Sequence, residues 1–248
     1  MLQPDRFHVA NLTKDEYAEA MRQGRWILVP FGTVEQHGPH LPLGADLFYA
    51  EHICSAVAEQ LNGLVAPALP YGVCRSMRHF PGTISLSPAT LTAIAREVVT
   101  EYVRHGGRKF ALITGHAEGA QMEALRDAVF PLVSADPTLI FLTIGPYDFL
   151  DPIRREADLV GKDGHAGSIE TSQMLVVAEG LVRSDRIPMV TRPRLSRFRV
   201  MAHPEVEYPT GVRGDTSKVS RALGAKAINQ AVTQIVNLLK RIESGGSE

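Results

Sequence analysis

The 248-residue chain is short of cysteine, of tryptophan and of any surplus charge. Its two cysteines, Cys54 and Cys74, are too few for a disulfide-stapled scaffold and fit a reducing, cytoplasmic location. With 26 basic and 27 acidic residues the net charge is −1, which argues against nucleic acid as a partner because such proteins carry a basic excess or stripe. No apolar run approaches the roughly 20 residues of a membrane helix. The opening MLQPDRFHVANLTKDEY lacks the apolar centre of a secretory signal. Neither G-x-G-x-x-G between a strand and a helix nor G-x-x-x-x-G-K-[ST] occurs, and G-x-S-x-G is absent, so nucleotide-binding and serine-hydrolase fingerprints are missing. There are no internal repeats. What the chain does have is an ordinary globular balance, 44% hydrophobic and 21% charged, and nine histidines against a single tryptophan, Trp26.

Apolar runs alternate with helical patterns. Strands are expected at 26–31, 64–69, 109–114 and 138–144, with Pro67 weakening the second. Helices are expected at 45–61, 88–105, 118–134, 168–180 and 216–241. Residues 146–167 read as irregular, and 182–214 as loops with short strands. This alternation implies βαβ units and a parallel sheet covered on both faces: a single α/β domain over 1–243, a three-layer α/β/α sandwich with a mainly parallel central sheet, and a frayed tail at 244–248.

Sites in open α/β sheets gather at the carboxyl ends of strands. After strand 26–31 come Glu35 and His37, two apart and therefore on one side of an extended segment, with Asp46 nine residues on. After strand 109–114 come His116 and Glu118. Three carboxylates gathered without a cation would repel and raise one another's pKa. A pair of divalent ions removes that cost, and two ions with one bridging aspartate is the arithmetic of a binuclear hydrolase. Asp46 reads equally as an acid favoured at a helix N-terminus. His165 lies between Gly164 and Gly167, which permit close backbone approach to a ligand. It reads as a ligand, a general acid/base or a capping residue. Glu170, in the first turn of helix 168–180, is either a helix-dipole acid or support for a metal or for His165. Cys54 reads as a buried structural thiol. Cys74 has no assignable base, and the basic stretch 192–199 reads as a solvated face, a subunit contact or an anion site.

Four stretches resemble the creatininase (creatinine amidohydrolase) family: VPFGTVEQHGPHLPLGADLFYA, LPYGVCRSMRHFPGTISL, RHGGRKFALITGHAEGA and KDGHAGSIETSQML. The likeness runs from about residue 8 to about residue 240. It implies an α/β/α sandwich, a homo-oligomer, often a hexamer, and two divalent metal ions per subunit, zinc or manganese with iron a further option. By position, Glu35, Asp46 and His116 match the ligands of one metal, and His37, Asp46 and Glu118 those of the other, with Asp46 bridging. His165 matches the proton-transfer histidine, and Glu118 or Glu170 would assist proton movement.

The departures bear on substrate. Creatinine hydrolases present aromatic walls to a flat ring. The corresponding positions here are Ala117, Tyr147 and Gly161, and Ser76 is a fourth candidate substrate contact. Two of these three walls are gone. The resemblance then implies hydrolysis of a C–N bond in a small cyclic amide or formamide other than creatinine, by a water held between the metals. Ring opening of a cyclic carbohydrate ketone, formamidopyrimidine deformylation and peptide trimming in cofactor maturation are the alternatives within the family; a metal-binding scaffold without activity and a Rossmann-type nucleotide binder, whose fingerprint is missing, are those outside it.

Overall fold

The computed structural model describes residues 6–190 and 201–246. Its layers follow from strand parity. Strand β1 (Ile27–Phe31) is buried throughout. Ile27, Val29 and Phe31 enter one core and Leu28 enters the other. Strand β3 (Lys109–Thr114) divides in the same way, Phe110 and Leu112 against Ala111 and Ile113. Strands buried on both faces are the ones that read as unbroken apolar runs. With β2 (Leu64–Val65) and β4 (Ile140–Ile144) they form a parallel sheet of order β2-β1-β3-β4.

Helices α3 (Pro88–Arg104) and α4 (Gly119–Ala135) cover the first core through Leu91, Ala95 and Val99, and Leu125 and Ala128. Helices α2 (Ala45–Leu61) and α7 (Arg221–Glu243) cover the second, with α6 (Ser168–Val177) packed on α7. The expected three-layer α/β/α sandwich is therefore present. No helix among the described residues is long and apolar enough to cross a membrane.

Several boundaries differ from the sequence expectation, each for a local reason. The second strand stops at Val65, because Pro67 has no N–H for the ladder; Leu69 returns only as an isolated bridge to Phe31. Two helices appear where none was expected. One is α1 (Lys14–Arg22), opened by a reciprocal capping box between Thr13 and Glu16. The other is α5 (Asp151–Glu156), which follows a 3-10 turn at Pro146–Phe149 and carries Pro152 in its first turn, where a missing N–H costs nothing. The last helix begins at Arg221, capped by the Ser220 side chain, rather than at 216. Within 182–214 the described residues form 3-10 turns at Ser184–Arg186 and Pro204–Glu207 and no strand. The whole basic stretch 192–199, with Arg197 and Arg199, lies outside the described residues.

Two glycines set α2 against the strand ends. A Cβ on Gly32 would lie 2.4 Å from Leu47 Cα, and one on Gly115 would lie 2.0 Å from the Asp46 carbonyl oxygen. Only residues without a side chain let the first turn of α2 settle beside β1 and β3.

Candidate metal centre

That first turn carries Asp46 to the carboxyl ends of β1 and β3. The chain leaving β1 adds Glu35 and His37, and the chain leaving β3 adds His116. All four are sealed from solvent, Glu35 and His37 at 0%, Asp46 at 3% and His116 at 6% exposure.

A backbone carbonyl orients each imidazole. His37 donates its Nδ1–H to the Glu35 carbonyl at 2.9 Å, which leaves Nε2 facing Asp46 Oδ1 at 3.3 Å. His116 donates its Nε2–H to the Val73 carbonyl at 3.0 Å, which leaves Nδ1 at 3.0 Å from both Glu35 Oε2 and Asp46 Oδ2. This is the outer support that metal-ligating histidines ordinarily have. Asp46 thus turns one oxygen to each ring, and Thr33 Oγ1 donates to Oδ2. The Glu170 carboxylate comes to 4.0 Å from His37 Nε2 while accepting the Ala166 N–H at 2.5 Å. Two donor groups result: Glu35, Asp46 and His116 on one side of Asp46, and His37, Asp46 and Glu170, whose donor atoms lie within 4.8 Å of one another, on the other.

The unmet valences show what these groups suit. Both oxygens of Glu35 and Nε2 of His37 are buried without a hydrogen-bond partner. Among the described residues no lysine or arginine forms an ion pair with Glu35, Asp46 or Glu170. Sealed carboxylates need a cation, and mixed nitrogen and oxygen donors suit zinc or manganese. Without an ion, protons serve. Burial disfavours the His37 imidazolium, yet Asp46, Glu170 and Glu35 outweigh it and push the ring up to about 10. His116 is likewise pushed well up, by Glu35 and Asp46 against its burial. Against the opposing burial, the two rings hold Asp46 well below the usual carboxylate range. Burial, opposed by His37 and reinforced by Asp46, lifts Glu170 to about 7.

The arrangement departs from the expected ligand set at one position. Glu118 is not in the group around His37; Glu170 is. Glu118 stands at the other edge of the His116 ring, Oε2 at 3.8 Å from Nε2. The backbone N–H groups of Arg75 and Ser76, at 2.9 and 3.3 Å, hold it there.

His165 stacks on His37 with ring centroids 4.3 Å apart, and its Nε2 lies 2.7 Å from the Gln36 carbonyl oxygen. Burial, then the neighbouring His37 charge, holds its pKa well below the usual value. Its flanking glycines serve another strand of backbone rather than a ligand. A Cβ on Gly167 would meet Gly214 Cα at 2.8 Å, and one on Gly164 the Arg213 carbonyl oxygen at 3.1 Å.

Of the expected substrate contacts, Ser76 touches Glu118 and accepts from the Tyr208 hydroxyl at 3.0 Å. Ala117 is exposed beside His116. Tyr147 packs on Tyr49 at 5.2 Å. Gly161 is exposed with φ +71°, and a Cβ there would meet nothing within 4 Å.

Sequence patterning passed over several supporting residues. Gln36 lies 3.2 Å from His165 Nε2 and donates to the Gly211 carbonyl, and Gln121 ties Val73 to Thr114. A glutamine in a loop, like Gln36, or in the first turn of a helix, like Gln121, carries no distinguishing spacing. Cys74 places its sulfur within 4.8 Å of Glu35 and His116. Burial and then Glu35 push its thiol up to about 12, which is wrong for a nucleophile.

Known proteins resemble the chain over nearly its whole length. A family model described as creatininase, creatinine amidohydrolase, matches residues 10–239. The creatinine amidohydrolase of Pseudomonas putida is 31% identical over 253 residues, covering 94% of this chain and 95% of that one. The mycofactocin precursor peptide peptidase of Mycobacterium ulcerans is 31% identical over 238 residues, covering 88% and 86%. A crystal structure of creatinine amidohydrolase matches with a TM-score of 0.86 at 27% identity, over 95% of this chain and 97% of that one. Zn-Zn and Mn forms of creatininase match at 0.85 and 0.86. The sealed Glu35–His37–Asp46–His116 cluster and a match spanning nearly the whole sequence lead to one conclusion: the chain belongs to the creatininase family of metal-dependent amidohydrolases.

Proposed function

We propose that the chain hydrolyses a C–N bond of a formamide or cyclic amide, with two divalent ions held side by side. The observation that carries this reading is Asp46, which offers one oxygen to each of two donor groups. Glu35, Asp46 and His116 would hold one ion, and His37, Asp46 and Glu170 the other. Ions bound there supply Lewis acidity and lower the pKa of water.

The remaining residues handle protons. His165, held neutral, gives its Nε2–H to the Gln36 carbonyl and keeps a bare Nδ1, so it accepts a proton before passing one to the leaving nitrogen. Glu118 is kept ionised by His116 and by the N–H groups of Ser76 and Arg75, against its burial, and acts as a second proton acceptor.

Creatinine is a poor fit, because Ala117 and Gly161 offer no aromatic face to a flat ring. An acyclic peptide amide is the second reading. It is supported by the 31%-identical peptide peptidase and by the exposure of Ala117. A hollow lined by Arg75, Arg78, Thr83, Ser85 and Ser87, beginning at the same Val73 that orients His116, offers room for an anionic group on either substrate.

The test is a panel of N-formyl compounds, lactams, hydantoins, short peptides and creatinine, each with and without a carboxylate or phosphate, assayed on zinc- and manganese-loaded protein. Turnover of the formamides or cyclic amides that disappears on chelation and returns with metal is expected. Undiminished turnover after chelation would overturn the reading, as would a loaded enzyme that cleaves none of the panel.

A further inference from the structure

A second cluster of metal-type ligands lies outside that centre, and nothing in the proposed reaction uses it. His79, on the loop between β2 and α3, meets His203 and Glu205 from the far side of the sequence. Their three donor atoms lie within 4.8 Å of one another. His203 Nδ1 is 3.0 Å from Glu205 Oε1, and the two imidazole centroids are 5.6 Å apart.

We propose that His79, His203 and Glu205 form a third metal site, for a borderline divalent cation such as zinc. Three observations carry it. The donor types, two imidazoles and a carboxylate, are those of an open zinc site with a fourth position left to water. Ligands about 2.1 Å from zinc in tetrahedral geometry lie about 3.4 Å apart. The His203–Glu205 pair already stands near that spacing, and the exposed His79 ring is free to close the remainder by a change of rotamer. Finally, Glu205 Oε2 is buried with no hydrogen-bond partner, although Oε1 of the same carboxylate is used. A surface ion pair between His203 and Glu205 leaves that second oxygen unexplained, whereas an ion engages it.

The two segments are already held side by side. Phe80 stacks on Tyr208 at 6.1 Å, and the Tyr208 hydroxyl donates to the Ser76 carbonyl at 3.0 Å. An ion on the cluster would therefore clip 203–208 to the loop whose Ser76 N–H holds Glu118. The chain's zinc stoichiometry would exceed what the buried centre accounts for.

Protein whose buried centre has been loaded and freed of excess metal would be titrated with zinc chloride by calorimetry, and bound metal counted by plasma mass spectrometry after gel filtration. One further zinc per chain is expected for the unmodified protein. It should be absent from His203→Ala and Glu205→Gln, with the buried centre's metal unchanged in both. That unchanged content doubles as the check that the variants are folded. A His79→Ala variant should lose it too, and added zinc should slow proteolysis at 203–208 only in the unmodified protein. The site is refuted by no further zinc in the unmodified protein, or by equal uptake in His203→Ala and Glu205→Gln.

Discussion

Glu118 and Glu170 are both glutamates at the start of a helix, and their surroundings divide them. Glu118 accepts from two backbone N–H groups and lies at the outer edge of His116. Glu170 is largely buried beside His37 and Asp46, and protons rather than arginines offset its charge. Substitution should separate the two roles. Glu170→Gln is expected to lower metal content by about one ion per chain. Glu118→Gln should keep full metal content and lose about 10²–10⁴-fold in turnover, the range for a lost acid/base group. Metal counts and kcat on the same preparations check both, and equal metal loss in the two variants would overturn the division. At this scale the sequence was legible where carboxylate and histidine are two apart after a strand, as at Glu35 and His37. At Glu170 the sequence left two readings open, because an acid in the first turn of a helix has the same signature whether it serves the dipole or an ion. Its partner His37 is also 133 positions earlier.

The elements hold these side chains by close backbone approach. Gly115→Ala puts a methyl group 2.0 Å from the Asp46 carbonyl oxygen and 3.2 Å from the Ala50 nitrogen. The first turn of α2 must then retreat, at a cost of about 1–3 kcal/mol from overpacking. Melting should fall by several degrees, and metal content should fall with it because Asp46 moves. Gly119→Ala is the control: it lies in α4 with nothing within 4 Å of an added Cβ, and should leave both unchanged or raise stability slightly. Thermal melts with metal counts distinguish these outcomes. The main strands and helices were legible because each is a continuous apolar run or carries a 3.6-residue pattern closed by glycine, proline or a cap. Helix α1 was missed although Thr13 and Glu16 spell a capping box; it is only nine residues long, largely polar, and buries only Ala20, so no apolar run announces it. Helix α5 was hidden by Pro152, which breaks a helix interior yet suits its first turn.

For the molecule as a whole, metal and pH are linked. In the metal-free protein His37 titrates near 10, against 6.5 when free. Its proton therefore stabilises the fold fully below about pH 6.5, and that contribution disappears as pH rises through about 10. Glu170, lifted from 4.5 to about 7, acts in the same sense across that lower interval. Chelated protein should accordingly melt at a lower temperature at pH 9.5 than at pH 6. Loaded protein should lack this decline, since ligation needs those protons removed. Melting curves with and without chelator across that range are the measurement, and a rise for the chelated form would contradict the protonation assigned to the cluster. The layered architecture was readable from the strand–helix alternation because both faces of the sheet are covered. The join between Gly164–Gly167 and Arg213–Gly214 was not, since it brings together backbone from distant positions and leaves no periodic trace.

That dispersal has a consequence for biogenesis. Glu35 and His37, Asp46, His116 and Glu170 come from four separate stretches, and the last is placed only when α6 docks on α2 and α7. A nascent chain emerging in order from its first residue has Glu35, Asp46 and His116 before half of it is made, but does not have both donor groups until Glu170 has been synthesised. An ion taken up after that point would meet a finished cage rather than loose polypeptide, whose preference would simply follow intrinsic affinity. What such an ion would meet is the spacing of Asp46 between its two imidazoles, 3.3 Å from His37 Nε2 and 3.0 Å from His116 Nδ1, which only the completed fold sets.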